Sequence, residues 1–169
     1  VDSTRTSAVD QVVQAILMAK KTILIKDQFL FDRNVVTALI RAKTNNPSLD
    51  VRAILEPLKV TDPAGLPNLL YMDDMAKVGI QIKAKETLDG HVIAQEYHMK
   101  TISVDGQFVI SGSANKDMNT MYGSFREEQL DIFDIGATAI HDQHFNKEWN
   151  DPKETGPAFK AYNFTVPKN

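Results

Sequence analysis

The residues whose side chains could best carry out chemistry lie between Tyr97 and Phe133 of this 169-residue chain. His98 and Lys100 stand two positions apart in a segment rich in β-branched residues. Such a segment favours a strand, and on a strand residues i and i+2 leave the same face. An imidazole and an ammonium group are therefore predicted to point in the same direction.

A hairpin is predicted directly after these two residues. Asp105-Gly106 is a tight-turn signal, and residues 107–111 have the pattern of a returning strand. The strand leads into Gly112-Ser113-Ala114-Asn115, where small residues let a ligand approach the backbone closely. Ser113 and Asn115 add short side chains that can donate hydrogen bonds. The hairpin is thus expected to place neutral donors beside the cation and the imidazole.

A carboxylate completes the set. Glu128 follows the hairpin and opens another apolar run, residues 130–135, and a carboxylate can orient an imidazole and fix its tautomer. A nucleophilic imidazole, a fixed cation, neutral donors and an orienting carboxylate are together what displacement at a phosphodiester phosphorus requires. The chemistry predicted from these residue types is therefore cleavage or exchange of a phosphodiester.

The spacing of these residues resembles the signature of the phospholipase D superfamily, which is called the HKD motif. Here it comprises His98, one residue, Lys100, four residues, Asp105, six residues, and then Gly-Ser-x-Asn. The following Met121-x-Gly123-Ser124-x-Arg126-Glu127-Glu128 is similar to the family's continuation. Each residue alone would fit a solvated hairpin face with an ordinary histidine, but the joint spacing favours the family. The resemblance extends over residues 8–149, although only residues 97–133 carry the motif.

The resemblance implies roles in the active site for His98, Lys100, Asp105, Ser113, Asn115 and Glu128. His98 would attack phosphorus to form a phosphohistidine, while Lys100, Ser113 and Asn115 would hold the non-bridging oxygens. Glu128 would bind the distal nitrogen of the imidazole. Asp105 lies at the hairpin turn, so we expect it to brace the strands rather than touch substrate. No metal ion or other cofactor is implied, because lysine and asparagine supply the charge stabilisation that a divalent cation supplies elsewhere.

The resemblance also implies a second half of the active site. In this family two HKD motifs meet across a pseudo-twofold axis and form one site with two histidines. This chain carries one such motif. The second half would be another copy in a homodimer or the rest of a tandem chain, and its histidine would protonate the leaving oxygen and later activate water or an alcohol.

Composition and charge narrow the class of protein. The chain has 43% hydrophobic residues, a net charge of −3 and a pI of about 5.8, which predicts a globular protein with its own core and disfavours broad binding to nucleic acid. No cysteine is present, so disulfides and cysteine-based zinc sites are excluded.

The sequence gives limited information on where the protein is located. No apolar stretch approaches the ~20 residues of a membrane span, and the N-terminus lacks a signal-peptide pattern. We expect a soluble or peripheral protein whose compartment stays open, with secretion among the options. The start at Val1 rather than Met indicates a processed protein or part of a longer one.

The elements around the motif predict an α/β fold. Apolar residues at helical spacing predict helices over residues 7–19, 33–45 and 69–78. Runs rich in β-branched residues predict strands at 22–26, 51–55 and 80–84. Strands that alternate with helices pair in parallel through right-handed crossovers. With the hairpin, this predicts a layered sandwich in which a mixed β-sheet is flanked by helices, the phospholipase D-like fold, as one domain over residues 1–169.

Two further segments bear on binding and packing. Asp27-Gln28-Phe29 follows the first strand, and a similar polar-aromatic segment lines the site in phospholipase D relatives, so Gln28 is a candidate substrate contact; an ordinary strand-end glutamine fits as well. A terminal helix is predicted to bury one side, formed by Ala137, Ile140, His141, His144, Phe145 and Trp149. The spacing of its two histidines could hold a metal, but without a third ligand nearby a partly buried aromatic face fits better. The tail from Asn150 is either loosely packed or a strap.

Three functions fit these observations: a phospholipid phosphodiesterase, a nuclease on the same scaffold, and a non-catalytic half that dimerises or binds membranes. The intact motif disfavours the third. The acidic pI and the Gly-Ser-Ala-Asn segment favour the first, so the predicted partner is a phospholipid at a membrane surface, with nucleic acid as the less favoured substrate. Leu66, Leu69, Leu70 and Met72 could shield acyl chains or form core.

Overall fold

The computed structural model describes residues 8–57, 67–86, 97–117, 121 and 127–161. Its strands are β1 Thr22–Asp27, β2 Asp50–Leu55, β3 Gln81–Ala84, β4 Lys100–Val104, β5 Phe108–Gly112 and β6 Gln129–Ile132. Its helices are α1 Ala8–Met18, α2 Arg33–Asn45, α3 Leu69–Lys77 and α4 Ile135–Asn150. The strands form one mixed sheet in the order β3-β2-β1-β4-β5-β6.

The sheet has a parallel half and an antiparallel half. β1, β2 and β3 pair in parallel, with α2 and α3 in the connections between them. β4 pairs antiparallel with β1, and β5 and β6 continue the antiparallel pairing. The predicted parallel pairing and the predicted hairpin are both confirmed, and the fold is the expected α/β sandwich with a mixed sheet flanked by helices.

The main apolar core lies between one face of the sheet and helices α1 to α3. Ile25 of β1, Ile16 of α1 and Leu39 of α2 are fully buried in it. Met72 and Met75 of α3 belong to the same cluster, which confirms that these methionines are core residues. Helix α2 starts cleanly because the carboxylate of its N-cap, Asp32, accepts hydrogen bonds from two backbone N–H groups of the first turn.

Helix α4 covers the opposite face. Phe145 and Trp149 stack with ring centroids 5.7 Å apart and pack against Leu24 of β1 and Ile54 of β2. Leu24 faces this layer because successive side chains of a strand alternate between faces. None of the helices in the described ranges combines the length and apolar character needed to cross a membrane.

The predicted buried side of α4 is partly wrong. Phe145 and Trp149 are buried as expected, but the side chains of three other members are exposed: Ala137, Ile140 and His144. The reason is that this end of the helix meets the sheet through polar groups. The Nε2 atom of His141 lies 2.9 Å from the Thr101 hydroxyl of β4, and its Nδ1 atom lies 3.0 Å from the Asp142 carboxylate. The partly buried His141 therefore links α4 to β4.

Asp105 braces the turn between β4 and β5 as expected. Asp105 and Gly106 have φ angles of 54° and 66°, which are typical of a type I′ hairpin turn. The Asp105 carboxylate accepts hydrogen bonds of 2.7–2.9 Å from the backbone N–H groups of Lys20, Lys21 and Thr22. The side chain thus ties the hairpin to the start of β1.

Residues 151–161 form a strap along the outer edge of β3. The N–H groups of Gly156 and Phe159 donate hydrogen bonds to the carbonyls of Ala84 and Ile82, at 3.1 and 2.8 Å. Thr155 is buried, and its hydroxyl donates to the carbonyl of Trp149. The described part of the tail is therefore a strap rather than a loosely packed end.

Candidate active site

Most of the predicted site residues lie at one end of the sheet, where β1 and β5 end and β4 and β6 begin. Asp27, the last residue of β1, pairs with Lys100, the first residue of β4. Across the hairpin, Gly112 at the end of β5 pairs with Gln129 at the start of β6. We call this row of four strand ends the site edge. The hairpin therefore returns the Gly-Ser-x-Asn segment to the row that holds Lys100.

His98 lies just before β4 and not on it. The predicted strand begins only at Lys100, because β1 ends at Asp27 and the pairing continues only to a hydrogen bond from the Gln28 N–H to the Met99 carbonyl, at 3.0 Å. The side chain of His98 is exposed, whereas Lys100 is 5% exposed. The Lys100 ammonium lies 3.4 Å from the His98 carbonyl oxygen. The two residues are thus neighbours, although they do not share a regular strand.

The residue before His98 is fixed by a buried carboxylate that sequence analysis did not single out. The backbone N–H of Tyr97 donates a 2.6 Å hydrogen bond to Glu56, and both residues are buried. Burial and the negative charge of Glu148 raise the pKa of the Tyr97 phenol, so it stays protonated. The only signal for Glu56 in the sequence is a charged residue directly after a buried strand.

Gly112 is required by the chain's own backbone. A Cβ atom at this position would come within 2.2 Å of the Glu128 carbonyl oxygen and 2.9 Å of the Gln129 Cα. Small residues are predicted here to admit a ligand, but the glycine at position 112 instead admits the backbone at the start of β6. The close approach sets where Ser113 leaves the sheet.

Ser113 is held by the two glutamates that precede β6. Its N–H donates to the Glu128 carbonyl at 2.9 Å, and its hydroxyl oxygen accepts a 3.0 Å hydrogen bond from the Glu128 N–H. The hydroxyl donates to the carboxylate of Glu127. Glu128 contributes its backbone here while its side chain is exposed, so its role in orienting an imidazole stays a prediction. Glu127 was missed because two adjacent glutamates cannot be told apart by spacing.

Asn115 brings a buried acceptor to the same segment. Its Oδ1 atom is buried and has no hydrogen-bond partner within the described ranges. An unpaired buried acceptor is costly, so this atom is a candidate to receive a hydrogen bond from a substrate group or a partner side chain. Gly123, Ser124 and Arg126, which continue the motif, lie outside the described residues.

A buried ion pair lies beneath this segment. The Lys116 ammonium is 3.0 Å from Asp27, with side-chain exposures of 2% and 0%. Burial raises the pKa of the Asp27 carboxyl to about 6, although the charges of Lys116 and Lys100 oppose the rise. Neither member was predicted, because they are distant in sequence and meet only once β1 lies beside β4.

Gln28 lies at the site edge but is largely buried, at 3% exposure. Its carbonyl accepts a 3.0 Å hydrogen bond from Asn68, whose own Oδ1 accepts from the Leu30 N–H at 2.7 Å. Its proposed contact with substrate stays a prediction. Asn68 ties the start of α3 to the site edge, and the two residues that follow it, Leu69 and Leu70, are exposed.

Among the motif residues that the structure describes, Asp105 lies away from the site edge. It follows β4 at the opposite end of the sheet, five residues beyond Lys100 and hence about 17 Å along the strand. An open cavity of about 930 Å³ lies instead beside Ser113, Glu127, Glu128 and Leu130. Within the residues that the structure describes, no group of three or more His, Asp or Glu side chains could hold a metal ion.

Comparison with known proteins agrees with this fold. Residues 12–149 match the family model described as "Cardiolipin synthase, PLD-like domain". No curated protein matches the chain at the sequence level. The structure of Nuc from Salmonella typhimurium, a phospholipase D family member, is similar with a TM-score of 0.75 and 22% identity, over 94% of this chain and 95% of that one.

Two other solved structures share the fold over part of their length. The phosphatidylserine synthase of Haemophilus influenzae Rd KW20 has a TM-score of 0.65 and 15% identity, over 87% of this chain and 36% of that one. TrmBL2, an archaeal chromatin protein, has a TM-score of 0.55 and 17% identity, over 83% and 48%. The family model spans most of the sequence and the fold agrees with it: the chain belongs to the PLD-like domain family, within the phospholipase D superfamily of phosphodiesterases.

Proposed function

We propose that this chain is one half of a phospholipase D-type enzyme that cleaves or exchanges the headgroup of a phospholipid. The observation that carries the proposal is the site edge, where Lys100 stands beside His98 and the hairpin returns Ser113 and Asn115 to the same row. A cation and two neutral donors beside an exposed imidazole suit an anionic phosphorus centre.

The chemistry we propose has two displacement steps. An imidazole nitrogen of His98 attacks phosphorus, so an N–P bond forms while the P–O bond to the leaving group breaks. Water or an alcohol then attacks the phosphohistidine, and the N–P bond breaks. Lys100, Ser113 and Asn115 would stabilise the charge on the five-coordinate phosphorus, each neutral donor by about 10²–10³ in rate. The Ser113 hydroxyl, which donates a hydrogen bond to Glu127 in the free protein, would donate to the substrate oxygen instead.

A second half is part of this proposal. The leaving oxygen needs a proton, and this chain offers one motif histidine. A second copy, or the other half of a tandem chain, would supply the acid. Each half would then contribute one His98-like residue to a shared site.

Two features of the site edge support a phospholipid over nucleic acid. Leu69 and Leu70 directly follow Asn68, which is tied to this edge, and with exposures of 42% and 66% they would contact acyl chains, whereas Met72 is core and Leu66 lies outside the described residues. Glu127 and Glu128 flank Ser113, and these carboxylates disfavour the further phosphates of a polyanion. The similar phosphatidylserine synthase points to the same class of substrate. A nuclease is the second candidate, favoured by the likeness to the DNA-binding TrmBL2.

The test compares substrates at matched phosphate concentration. The full chain is incubated with phosphatidylcholine vesicles, with vesicles of other common phospholipids, and with single- and double-stranded DNA at moderate salt. We expect headgroup release from phospholipid vesicles. His98→Ala should abolish this activity and leave the fold intact, because the His98 side chain is exposed. His144 is an exposed histidine on α4, and His144→Ala should leave activity intact. Cleavage of DNA without headgroup release would make the chain a nuclease.

The requirement for a second half is measured on the same samples. Light scattering gives the mass of the active species, and activity should follow the concentration of dimer or the addition of a second half. Full activity from a monomer of 18.9 kDa would contradict the two-motif site.

A further inference from the structure

Asp27, at the site edge, is a fully buried carboxylate that is close to one lysine and opposite another in the strand register. Its Oδ2 atom is 3.0 Å from the ammonium of Lys116, and in the antiparallel register its Cα partner is Lys100. The positive charge of Lys100 also acts on this carboxylate. One lysine comes from the start of β4 and the other from the segment after β5, so a single carboxylate faces both sides of the hairpin.

Lys116 is fixed more firmly than its ion pair alone would require. Its ammonium also donates to the Ala114 carbonyl at 3.1 Å, inside the Gly-Ser-x-Asn segment. Its backbone N–H donates to the Phe29 carbonyl at 3.1 Å, and its carbonyl accepts from the N–H groups of Phe31 and Asp32. Lys116 therefore attaches Ala114, and with it the residues on either side, to the segment that follows β1.

The balance of charge favours a defined arrangement of these groups. Burying a carboxylate or an ammonium alone is costly, and a buried pair is stable only with good geometry and further hydrogen bonds. Here the Asp27 carboxylate pairs with Lys116 and also feels the positive charge of Lys100, which leaves a net charge of +1 among these three groups. Movement of Lys116 would leave the buried carboxylate of Asp27 without its ion-pair partner, and movement of Lys100 would weaken the electrostatic stabilisation of that carboxylate.

We propose that Asp27 is a positioning residue, whose carboxylate holds the ammonium groups of Lys100 and Lys116 in one arrangement and so sets the Gly-Ser-x-Asn segment against the start of β4. Its importance for turnover rests on the proposed function, in which Lys100, Ser113 and Asn115 bind phosphate oxygens. The arrangement itself does not depend on which substrate is bound.

Whether this arrangement forms depends on the ionisation of Asp27 and on the titratable groups that act on it. They are Lys100 at the start of β4, Lys116 after β5, and the phenol of Tyr97, which feels the charge of Asp27. Because burial raises the pKa of Asp27 to about 6, the carboxylate is ionised above that pH and protonated below it. Both lysines should therefore sense a titration that belongs to Asp27.

The first experiment needs no variant and no substrate. Carbon NMR of the intact protein follows the Cγ of Asp27 and the Cε of Lys100 and Lys116 from pH 4 to pH 8. We expect the two lysines to show an inflection at the midpoint of Asp27, near pH 6, and Lys77, an exposed lysine paired with Asp73, to show none. A Lys100 resonance that ignores the ionisation of Asp27 would overturn the proposal.

The second experiment measures turnover. Asp27→Asn keeps the shape of the side chain and should lower kcat about 10²-fold with little change in KM, as expected for misplaced catalytic groups. It should also change the pH profile of kcat between pH 5 and pH 7, where Asp27 titrates. The control is Glu148→Gln, which weakens the ion pair of the neighbouring residue Lys26 on the other face of the sheet and should leave kcat nearly unchanged.

A double variant separates positioning from stability. Asp27→Asn/Lys116→Met removes both buried charges of the pair, so it should regain most of the thermal stability lost by Asp27→Asn while kcat stays low. Recovery of kcat in the double variant would mean that Asp27 serves Lys116 alone, against the proposal. If the wild-type protein turns over no phosphodiester, the proposed function fails, and the NMR titration still decides the role of Asp27.

Discussion

Two neighbouring residues at the end of β1, Lys26 and Asp27, each form a buried ion pair on opposite faces of the sheet. Lys26 lies 2.6 Å from Glu148 of α4, and Glu148 also pairs with Lys85 at 2.7 Å. Asp27 lies 3.0 Å from Lys116 at the site edge. The first pair has side-chain exposures of 10% and 13%, and the second of 2% and 0%. Both are pairs of a lysine and a carboxylate, but water reaches the Lys26–Glu148 pair more easily than the Lys116–Asp27 pair.

This difference in burial reverses the effect on the carboxylate. At Glu148, burial raises the pKa, but the hydrogen bonds and charges of Lys26 and Lys85 outweigh it, so the pKa is lowered. At Asp27, complete burial outweighs Lys116 and Lys100, so the pKa rises to about 6. The Glu148 network therefore stays charged at neutral pH and fastens α4, whereas the Asp27 network changes its charge close to neutrality, next to the residues proposed to do chemistry.

The largest effect should come from Lys116→Met, which leaves Asp27 buried without its nearest cation. We expect a loss of about 3–5 kcal/mol in the free energy of unfolding at pH 8, as is usual when one partner of a buried pair is removed. The loss should shrink at pH 5, where Asp27 is protonated. Urea unfolding at both pH values measures this. Lys26→Met is the matched control, and an equal loss there would erase the contrast between the two faces.

The pH dependence of stability should isolate Asp27. Its folded-state pKa is raised from 3.8 to about 6, so between these values the folded protein holds a proton that the unfolded chain has released. The stability that this proton provides is fully present below pH 4 and is lost as the pH rises through 6, about 3 kcal/mol in total. Urea unfolding of the wild type and of Asp27→Asn from pH 4 to pH 7 should show this difference, and parallel curves would contradict it.

A smaller effect is expected on the other face. Glu148→Gln keeps the size of the side chain but weakens two charge-assisted hydrogen bonds, to Lys26 and Lys85, at a cost of about 1–2 kcal/mol. Because the pKa of Glu148 is lowered, the stabilisation from this carboxylate is present at neutral pH and is lost only in acid. Thermal unfolding at pH 7 and pH 3 checks both statements; a loss that persists at pH 3 would mean that packing, not charge, fastens α4.

The smallest effect should be at the outer member of the same network. Glu154 of the strap also pairs with Lys85, but its side chain is 42% exposed. Glu154→Gln should cost less than ~0.5 kcal/mol, and the cost should fall further at high salt. Unfolding in 0.05 M and 1 M NaCl gives both values, and a cost above 1 kcal/mol that salt leaves unchanged would place Glu154 among the buried pairs.

Local patterns predicted most of the fold. The helical spacing of apolar residues located α1 to α3, and the Asp105-Gly106 turn located the hairpin and the brace at its tip. What the sequence lacked was the order of the strands. Without knowing that β4 lies beside β1, nothing connects Asp27 with Lys116. For the same reason the sequence does not show that β4 begins opposite Asp27, the last residue of β1. The pattern therefore predicts His98 on the strand, whereas β4 starts two residues later, at Lys100.

The buried face of α4 shows a second limit. Pattern recognition selects apolar residues, so it included Ile140, which is 58% exposed, and could not anticipate that the buried Thr138 and the Thr101–His141 contact would join the helix to the sheet. At the site edge, motif spacing singled out Glu128, whereas the carboxylate on Ser113 belongs to Glu127. The choice between adjacent residues depends on backbone geometry that Gly112 imposes and that composition does not encode.

The strap along β3 also affects how the protein behaves when it is crowded. An open strand edge presents unpaired N–H and C=O groups to any extended chain, and such edges seed the growth of fibrils. Gly156 and Phe159 occupy the carbonyls of Ala84 and Ile82 on this edge, while Pro157, between them, has no N–H to offer a newcomer. A chain shortened to end at Asn150 would keep the site edge but expose β3, so it should lose colloidal solubility before it loses its fold.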